Sequence, residues 1–123
     1  MKTHRDLDVW KDSIELVSEV YRLSRKFPKE EIFCLTQQLR RAAISIPSNI
    51  SEGAARNQKR DFVRFLRISA GSLAEIDAQI IIAEKLQYLG ESDRIHLEGY
   101  THKIRAQLGG LIKVLEKQIK VIE

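Results

Sequence analysis

The sequence predicts an all-α protein, an antiparallel up-and-down bundle of four helices. Apolar residues recur at helical spacing in four long segments, and only short breaks separate those segments. The chain of 123 residues contains only 2 prolines and 6 glycines, too few for the many turns of an all-β domain. Connections of about two to eight residues favour antiparallel neighbours, so we expect residues 1–123 to form one four-helix domain.

The first segment, residues 8–27, carries two apolar stripes. Each stripe has helical spacing; one contains Trp10, Ile14, Val17, Tyr21 and Ser24, and the other contains Leu16, Val20, Leu23 and Phe27. Together they cover roughly half of the helix circumference. A helix that is covered only by its own bundle usually needs less apolar surface, so the additional stripe predicts an interface with another subunit.

The second segment begins at Phe27-Pro28 and ends at Gly53. Pro28 suits the first turn of a helix, because the amide hydrogen that proline lacks would have no partner there. Glycine after the last apolar residue is a common helix end. One apolar stripe runs through this segment: Ile32, Leu35, Leu39, Ala43, Ile46 and Ile50.

Pro47 falls inside the second segment, where a proline removes one backbone hydrogen bond and crowds the carbonyl group of Ala43. Since the stripe keeps its phase across the proline, we predict one helix that is kinked at Pro47; a break into two helices is the alternative. We assign structural roles, in preference to catalytic ones, to Asn49 and Glu52 beside the kink. A polar side chain or water satisfies the freed carbonyl group, and Glu52 pairs with Arg56.

The third segment follows residues 54–57 and stops before Gly90. Its apolar stripe contains Phe62, Leu66, Ser69, Leu73, Ile76, Ile80 and Ala83. Ile82 and Leu89 point away from that stripe, which again predicts surface that another molecule covers.

The fourth segment begins with Ser92 as its N-cap residue and runs to the end of the chain. Its stripe contains Leu97, Tyr100, Ile104, Leu108, Leu111, Leu115, Ile119 and Ile122. Gly109-Gly110 costs roughly 1 kcal/mol per glycine relative to alanine inside a helix. Either another helix packs closely against these glycines or the fourth helix bends there.

The positive charge of the chain is concentrated in one stretch. The net charge is +4, but residues 40–67 hold seven cations and two acids, a net of +5, which leaves −1 for the remainder. The seven cations are Arg40, Arg41, Arg56, Lys59, Arg60, Arg64 and Arg67. Four of these arginines recur at helical spacing on one predicted face of the third helix, opposite its core stripe. Like charges repel at this spacing; phosphate groups relieve the repulsion and match the planar guanidinium.

These seven cations predict nucleic-acid binding. The alternative is a solvated face with salt bridges to Glu52, Asp61 or a neighbouring subunit. No aromatic residues alternate with the arginines on the exposed face, so the predicted binding is directed to the phosphate backbone and is weakly sequence-specific. The lysines on the outer face of the fourth helix, Lys113, Lys117 and Lys120, are interpreted as a solvated face in preference to an extension of that surface.

Motifs for enzymatic chemistry are missing. Di-iron bundles need paired Glu-x-x-His motifs on facing helices, whereas this chain has only Asp93-x-x-His96. No arginine precedes His96 or His102 at the spacing expected of a helical ribonuclease. A single cysteine, Cys34, forms no internal disulfide and no cysteine-rich metal site. We therefore expect no enzymatic activity, no metal and no cofactor.

The sequence also predicts a cytoplasmic location. The N-terminal residues are charged with no apolar stretch behind them, which argues against a signal peptide. The longest aliphatic run, residues 80–83, is far too short to cross a membrane. Together with the single cysteine, these features favour the reducing cytosol.

Five blocks of the sequence resemble a known family. The blocks are Leu7-Asp8-Val9-Trp10-Lys11, Phe27-Pro28-Lys29-Glu30-Glu31, Leu35-Thr36-Gln37-Gln38-Leu39-Arg40-Arg41-Ala42-Ala43, Ser45-Ile46-Pro47-Ser48-Asn49-Ile50-Ser51-Glu52-Gly53 and Ala70-Gly71-Ser72-Leu73-Ala74-Glu75. In this order they are similar to the bacterial four-helix bundle proteins encoded by intervening sequences in 23S ribosomal RNA genes. The resemblance covers residues 7–89. Ser51 stands where alanine is commoner, a conservative departure, and the fourth helix matches only in its apolar periodicity.

The resemblance implies a ring-like homo-pentamer. The chain is also similar to the accessory protein of diversity-generating retroelements, a resemblance that implies a basic bundle binding nucleic acid and a reverse transcriptase. With the resemblance, we therefore expect a homo-oligomer that binds nucleic acid, RNA in preference to DNA, through its arginines. The alternative is an oligomeric scaffold that recruits a protein partner, such as a polymerase, without binding nucleic acid directly.

Overall fold

The computed structural model describes residues 3–122, apart from the side chains of Asp6 and Ile122, and this part of the chain is helical without strands. The four α-helices are α1 Asp8–Ser24, α2 Leu35–Ala55, α3 Lys59–Lys85 and α4 Glu91–Ile122. Two short 3-10 helices, His4–Asp6 and Lys29–Glu31, precede α1 and α2. Successive helices pack against one another and α1 packs against α4, which confirms the predicted four-helix bundle.

The core is built from the predicted apolar stripes. The fully buried large side chains are Leu16, Leu23, Leu39, Ile46, Ile50, Leu66, Leu73, Ile76, Ile80, Leu97, Ile104 and Leu108. Burial of each such side chain contributes about 1.5–3 kcal/mol to the free energy of unfolding. The second stripe of α1 is less well covered: Ile14 is 40% exposed, and Trp10, Val17 and Tyr21 are half-buried.

The predicted start of the second helix at Pro28 is wrong. Pro28 precedes the 3-10 helix, and α2 begins only at Leu35. Tertiary contacts hold this connection: Tyr88 Oη donates a hydrogen bond of 2.8 Å to Glu31 Oε2, while Glu31 Oε1 accepts the Leu35 amide at 3.5 Å. Ile32, which we placed in the core stripe, is therefore 50% exposed in the connection.

The other helix ends differ from the predictions by a few residues. Asn57 has a φ of 59° and Gln58 is extended, so Arg56 lies at the end of α2 instead of in α3. At the other end of α3, Gln87 has a φ of 66°. This turn brings Leu89 back onto the core at 4% exposure, although we expected it to point outward. Ser92, the predicted N-cap, lies inside α4.

Gly53 lies inside α2 and does not end it. A Cβ atom there would lie 2.7 Å from Phe65 Cβ and 3.3 Å from Phe62 Cα. Real Cβ atoms essentially never approach another heavy atom within 3.0 Å. The glycine is therefore needed because α3 approaches α2 closely at this point.

The second helix runs without a break through Pro47, so the two-helix alternative is excluded, while a bend at the proline stays a prediction. Asn49 Nδ2 donates to the carbonyl group of Ser45 at 2.8 Å, and Ser69 Oγ donates to that of Ile46 at 2.9 Å. We expected the carbonyl group of Ala43 to be the acceptor. Asn49 therefore bonds a different carbonyl group of the same turn.

Gly109 and Gly110 lie inside the continuous α4 and are exposed. A Cβ atom at either position would meet no heavy atom within 4 Å. Close packing by another helix of the same chain, one of the two expected reasons for these glycines, is therefore wrong.

Candidate nucleic-acid interface

Positive charge collects at one end of the bundle because neighbouring helices are antiparallel. The C-terminal ends of α2 and α4 meet the N-terminal end of α3 there. An ion pair of 2.7 Å joins Arg67 of α3 to Glu116 of α4, and Arg60 and Lys120 line one groove. We call this region the basic end; its cations are Arg56, Lys59, Arg60, Arg64, Arg67, Lys113, Lys117 and Lys120.

The net charge of the basic end exceeds that of the whole chain. Residues 52–67 and 113–120, which include the acidic partner Glu52, together hold eight cations and three acids, a net of +5, which leaves −1 for the remainder. Two segments that are far apart in sequence thus build one surface, and the prediction from the sequence contained only the first of them.

Two arginines of the basic end stack against one phenylalanine. The Cζ atoms of Arg56 and Arg64 lie 5.2 Å and 4.7 Å from the centroid of the Phe65 ring. Stacking restricts each guanidinium group while its in-plane N–H donors stay available for a phosphate. Phe65 is itself 9% exposed, so it supports the arginines without offering a ring face to a base. Sequence reasoning missed this role, for which the only local signal is the adjacency of Arg64 and Phe65.

The acidic partners at the basic end form exposed ion pairs. Glu52 Oε1 lies 3.5 Å from Arg56 Nη2, and Asp61 Oδ1 lies 3.7 Å from Arg64 Nη2. Exposed pairs of this kind typically contribute only about 0–1 kcal/mol to stability. A phosphate group that approaches these arginines therefore competes with weakly held carboxylates. These contacts also match part of the alternative interpretation, in which salt bridges account for the charges.

A groove of about 290 Å³ separates α3 from α4 at the basic end. Its lining consists of Arg60, Val63, Glu116, Ile119 and Lys120. The apolar side chains come from the inner edges of both helices, and a cation from each helix contributes to the lining. The groove therefore offers cations on either side of a partly apolar floor.

Arg40 and Arg41 are not brought to the basic end. They precede Arg56 by about fifteen residues in α2, or roughly 22 Å along the helix axis. Arg40 Nε donates a hydrogen bond of 2.9 Å to Ser24 Oγ, and its Cζ lies 4.5 Å from the Tyr21 ring centroid, so it fastens α2 to α1.

Arg41 is exposed and lies on the seam between α2 and α3. It lines a separate polar groove of about 380 Å³ together with Gln38, Ala42, Ser45, Ser72 and Glu75. The structure thus brings together five of the seven predicted cations and leaves Arg40 and Arg41 apart.

A charged cluster joins α1 to α4 away from the basic end. Glu19 Oε1 and Oε2 accept hydrogen bonds of 2.9 Å from Arg22, and His96 Nε2 lies 2.6 Å from Glu19 Oε1. The bond from Arg22, followed by that from His96, lowers the pKa of Glu19 to about 2. Lys103 Nζ lies 3.3 Å from Asp12 Oδ2 and adds a further tie between the same helices.

Apolar side chains remain exposed on two sides of the bundle. Between α1 and α2 lies an apolar groove of about 250 Å³, lined by Trp10, Ile14, Val17, Ile44, Pro47, Ser48 and Ser51. On α3, α4 and the connection between them, six large side chains are 43–54% exposed: Ile68, Ile81, Ile82, Leu86, Ile95 and Val114. The apolar side chains of the groove line one site together, whereas apolar residues scattered singly over a surface need no explanation.

Within residues 3–122, no group of three or more His, Cys, Asp or Glu side chains could hold a metal ion. No helix in that part of the chain is both long and apolar enough to span a membrane.

Comparison with known proteins identifies relatives by family and by fold. The family model described as 23S rRNA-intervening sequence protein matches residues 5–110. A crystal structure from Bacteroides thetaiotaomicron, of a protein with unknown function from the S23 ribosomal protein family, superposes with a TM-score of 0.79 at 22% identity. The match covers 85% of this chain and 95% of that one. Among curated proteins none matches, and the similarity to the retroelement accessory protein stays a prediction.

Proposed function

We propose that this chain, which belongs to the 23S rRNA-intervening sequence protein family, acts as a homo-oligomer that binds nucleic acid without catalysing a reaction. One observation carries the proposal: two distant segments join to form the basic end, whose net charge of +5 exceeds the +4 of the whole chain. The preference for RNA over DNA rests on the description of the family alone.

The chemistry of the basic end favours phosphate groups. Arg56 and Arg64 are restricted by Phe65, so less conformational entropy is lost when they bind. Binding of each phosphate releases counterions, so affinity depends steeply on salt. Because Phe65 is buried beneath the guanidinium groups, contacts go to the backbone, and binding is weakly sequence-specific.

The exposed apolar surfaces support self-association. The apolar groove between α1 and α2 lies on other helices than the exposed apolar side chains of α3 and α4. When two different surfaces of one chain meet, the contact is heterologous, and repetition of such a contact closes a ring if the rotation allows. The number five comes from the family resemblance. A ring multiplies weak phosphate contacts through avidity.

A second candidate function is an oligomeric scaffold that recruits a protein partner such as a polymerase. The observation that favours it lies at the end of the bundle opposite the basic end. There Phe33 is 83% exposed and Ile32 is 50% exposed in the connection before α2. Affinity capture with and without nuclease treatment separates the two functions, since partners that persist after nuclease treatment favour the scaffold.

Charge reversal at the basic end tests nucleic-acid binding. We expect Arg60→Glu with Arg64→Glu to weaken RNA binding at least about tenfold, because two cations are replaced by anions. Arg25→Glu with Lys85→Glu, two exposed cations outside the basic end, is the matched control with the same change in net charge. Circular dichroism and the oligomer mass should stay constant in both variants. Equal affinities of the two variants for RNA would contradict the proposal.

A further inference from the structure

Lysines that the sequence alone presented as a solvated face lie beside the arginines of the basic end. Lys113, Lys117 and Lys120 are exposed, and their spacing of four and three residues places them on one face of α4. Lys120 lines the same groove as Arg60. A row of lysines therefore runs beside the row of arginines on the neighbouring antiparallel helix.

The spacing of the two rows suits two phosphate backbones. Within a row, successive cations are separated by about 4.5–6 Å along the helix axis. Packed helix axes lie about 8–10 Å apart, and long side chains extend this reach. The grooves of B-form DNA separate its two backbones by about 6–12 Å, and A-form RNA likewise has one narrow and one wide groove. One row can thus follow each strand, with the groove between α3 and α4 facing the gap between them.

The scarcity of exposed aromatic side chains on α3 and α4 at the basic end disfavours the binding of single-stranded nucleic acid. Proteins that bind single strands stack bases on exposed aromatic side chains, at about 1–3 kcal/mol per base. On the α3 side of the basic end Phe65 is 9% exposed and Phe62 is half-buried against the core. Residues 113–120 of α4 contain no aromatic residue. A duplex needs no such platform, because its bases are already stacked inside the double helix.

We infer that the basic end binds double-helical nucleic acid, with the arginines of α3 on one phosphate backbone and the lysines of α4 on the other. This inference rests on the proposed function and specifies its substrate class. The shared chemistry is the paired phosphate backbone, which duplex RNA and duplex DNA both provide.

The test compares strandedness in the full-length protein. The probes are an RNA duplex of about 20 base pairs, the DNA duplex of the same sequence and one unpaired RNA strand. The duplex length exceeds what a double-stranded RNA-binding domain covers. We expect the unmodified protein to bind the RNA duplex at least about tenfold more tightly than the single strand. Preference for the RNA duplex over the DNA duplex would identify duplex RNA as the source of the paired backbone. Equal affinity for both would show that either duplex supplies it. Both results agree with the inference.

The lysine row is tested by Lys113→Gln, Lys117→Gln and Lys120→Gln together. Loss of three phosphate contacts should flatten the slope of log K against log salt by about 2.7 on a duplex. Binding of the single strand should change less than about threefold. The matched control neutralises Arg25, Lys29 and Lys85 with glutamine, all of them exposed and outside the basic end.

Two results would overturn the inference. If the lysine variant loses equal affinity for duplex and single strand, or loses none, the lysines do not follow a second backbone. The proposed function still holds in that case, provided that Arg60→Glu with Arg64→Glu weakens binding. If the unmodified protein binds none of the three probes, both the inference and the proposed function are wrong.

Discussion

Replacement of Gly53 by alanine tests how closely α2 and α3 approach. In an open helix, Gly→Ala stabilises by up to about 1 kcal/mol through helix propensity. At Gly53 the new Cβ would lie 2.7 Å from Phe65 Cβ and 3.1 Å from Phe62 Cδ1, so α3 must shift. Such overpacking costs about 1–3 kcal/mol. At the full propensity gain, we therefore expect a net loss of up to about 2 kcal/mol in the free energy of unfolding.

The measurement is urea unfolding followed by circular dichroism, with Gly99→Ala as the matched control. Gly99 is exposed in α4, and an added Cβ would meet no atom within 4 Å. Its replacement should stabilise the protein by about 0.5–1 kcal/mol. RNA affinity should fall only in Gly53→Ala, because displacement of Phe65 disturbs the stacked arginines. Stabilisation by Gly53→Ala would refute the close approach of the two helices.

Three further predictions concern other parts of the bundle. The folded state holds the pKa of Glu19 at about 2, against 4.5 ordinarily. Ionised Glu19 therefore contributes ~1 kcal/mol to the free energy of unfolding, a contribution that is complete above pH 4.5 and is lost as pH falls towards 2. The difference in unfolding free energy between the unmodified protein and Glu19→Gln should shrink accordingly; a constant difference contradicts this. Arg40→Ala should lower stability by about 1 kcal/mol through loss of its bond to Ser24, while RNA affinity stays within about twofold; a tenfold loss of affinity would place Arg40 in the interface. Ile44→Glu should lower the oligomer mass measured by light scattering, because it puts a charge into the apolar groove, and an unchanged mass would exclude the groove from the interface.

The faces of the helices could be predicted from the sequence. Periodicity identifies which side chains share a face, and Leu66, Leu73 and Ile80 are fully buried as their spacing predicts. This information is local, because each helix presents its apolar stripe to the core whatever its neighbours are.

The helix ends could be predicted less well, because they depend on contacts between distant residues. The hydrogen bond from Tyr88 to Glu31 joins the two connections at one end of the bundle and accompanies the late start of α2. Likewise, the φ of Asn57 separates Arg56 from α3, although the arginines have continuous helical spacing in the sequence.

The composition of the basic end could be predicted only in part. Local charge density singles out the arginines of α3. The lysines of α4 join them through the register of two antiparallel helices, which the ion pair between Arg67 and Glu116 reveals. The position of Phe65 beneath Arg56 and Arg64 depends on the close approach that Gly53 allows, a tertiary feature without a sequence periodicity.

The most direct test of the central claim is a salt titration of RNA binding. The slope of log K against log salt reports the number of phosphates that the protein neutralises. Loss of two arginines in Arg60→Glu with Arg64→Glu should flatten this slope by at least about 1.4–1.8, from single strand to duplex. The control pair at Arg25 and Lys85 should leave the slope unchanged. An identical slope in the unmodified protein and the arginine variant would contradict binding through the basic end.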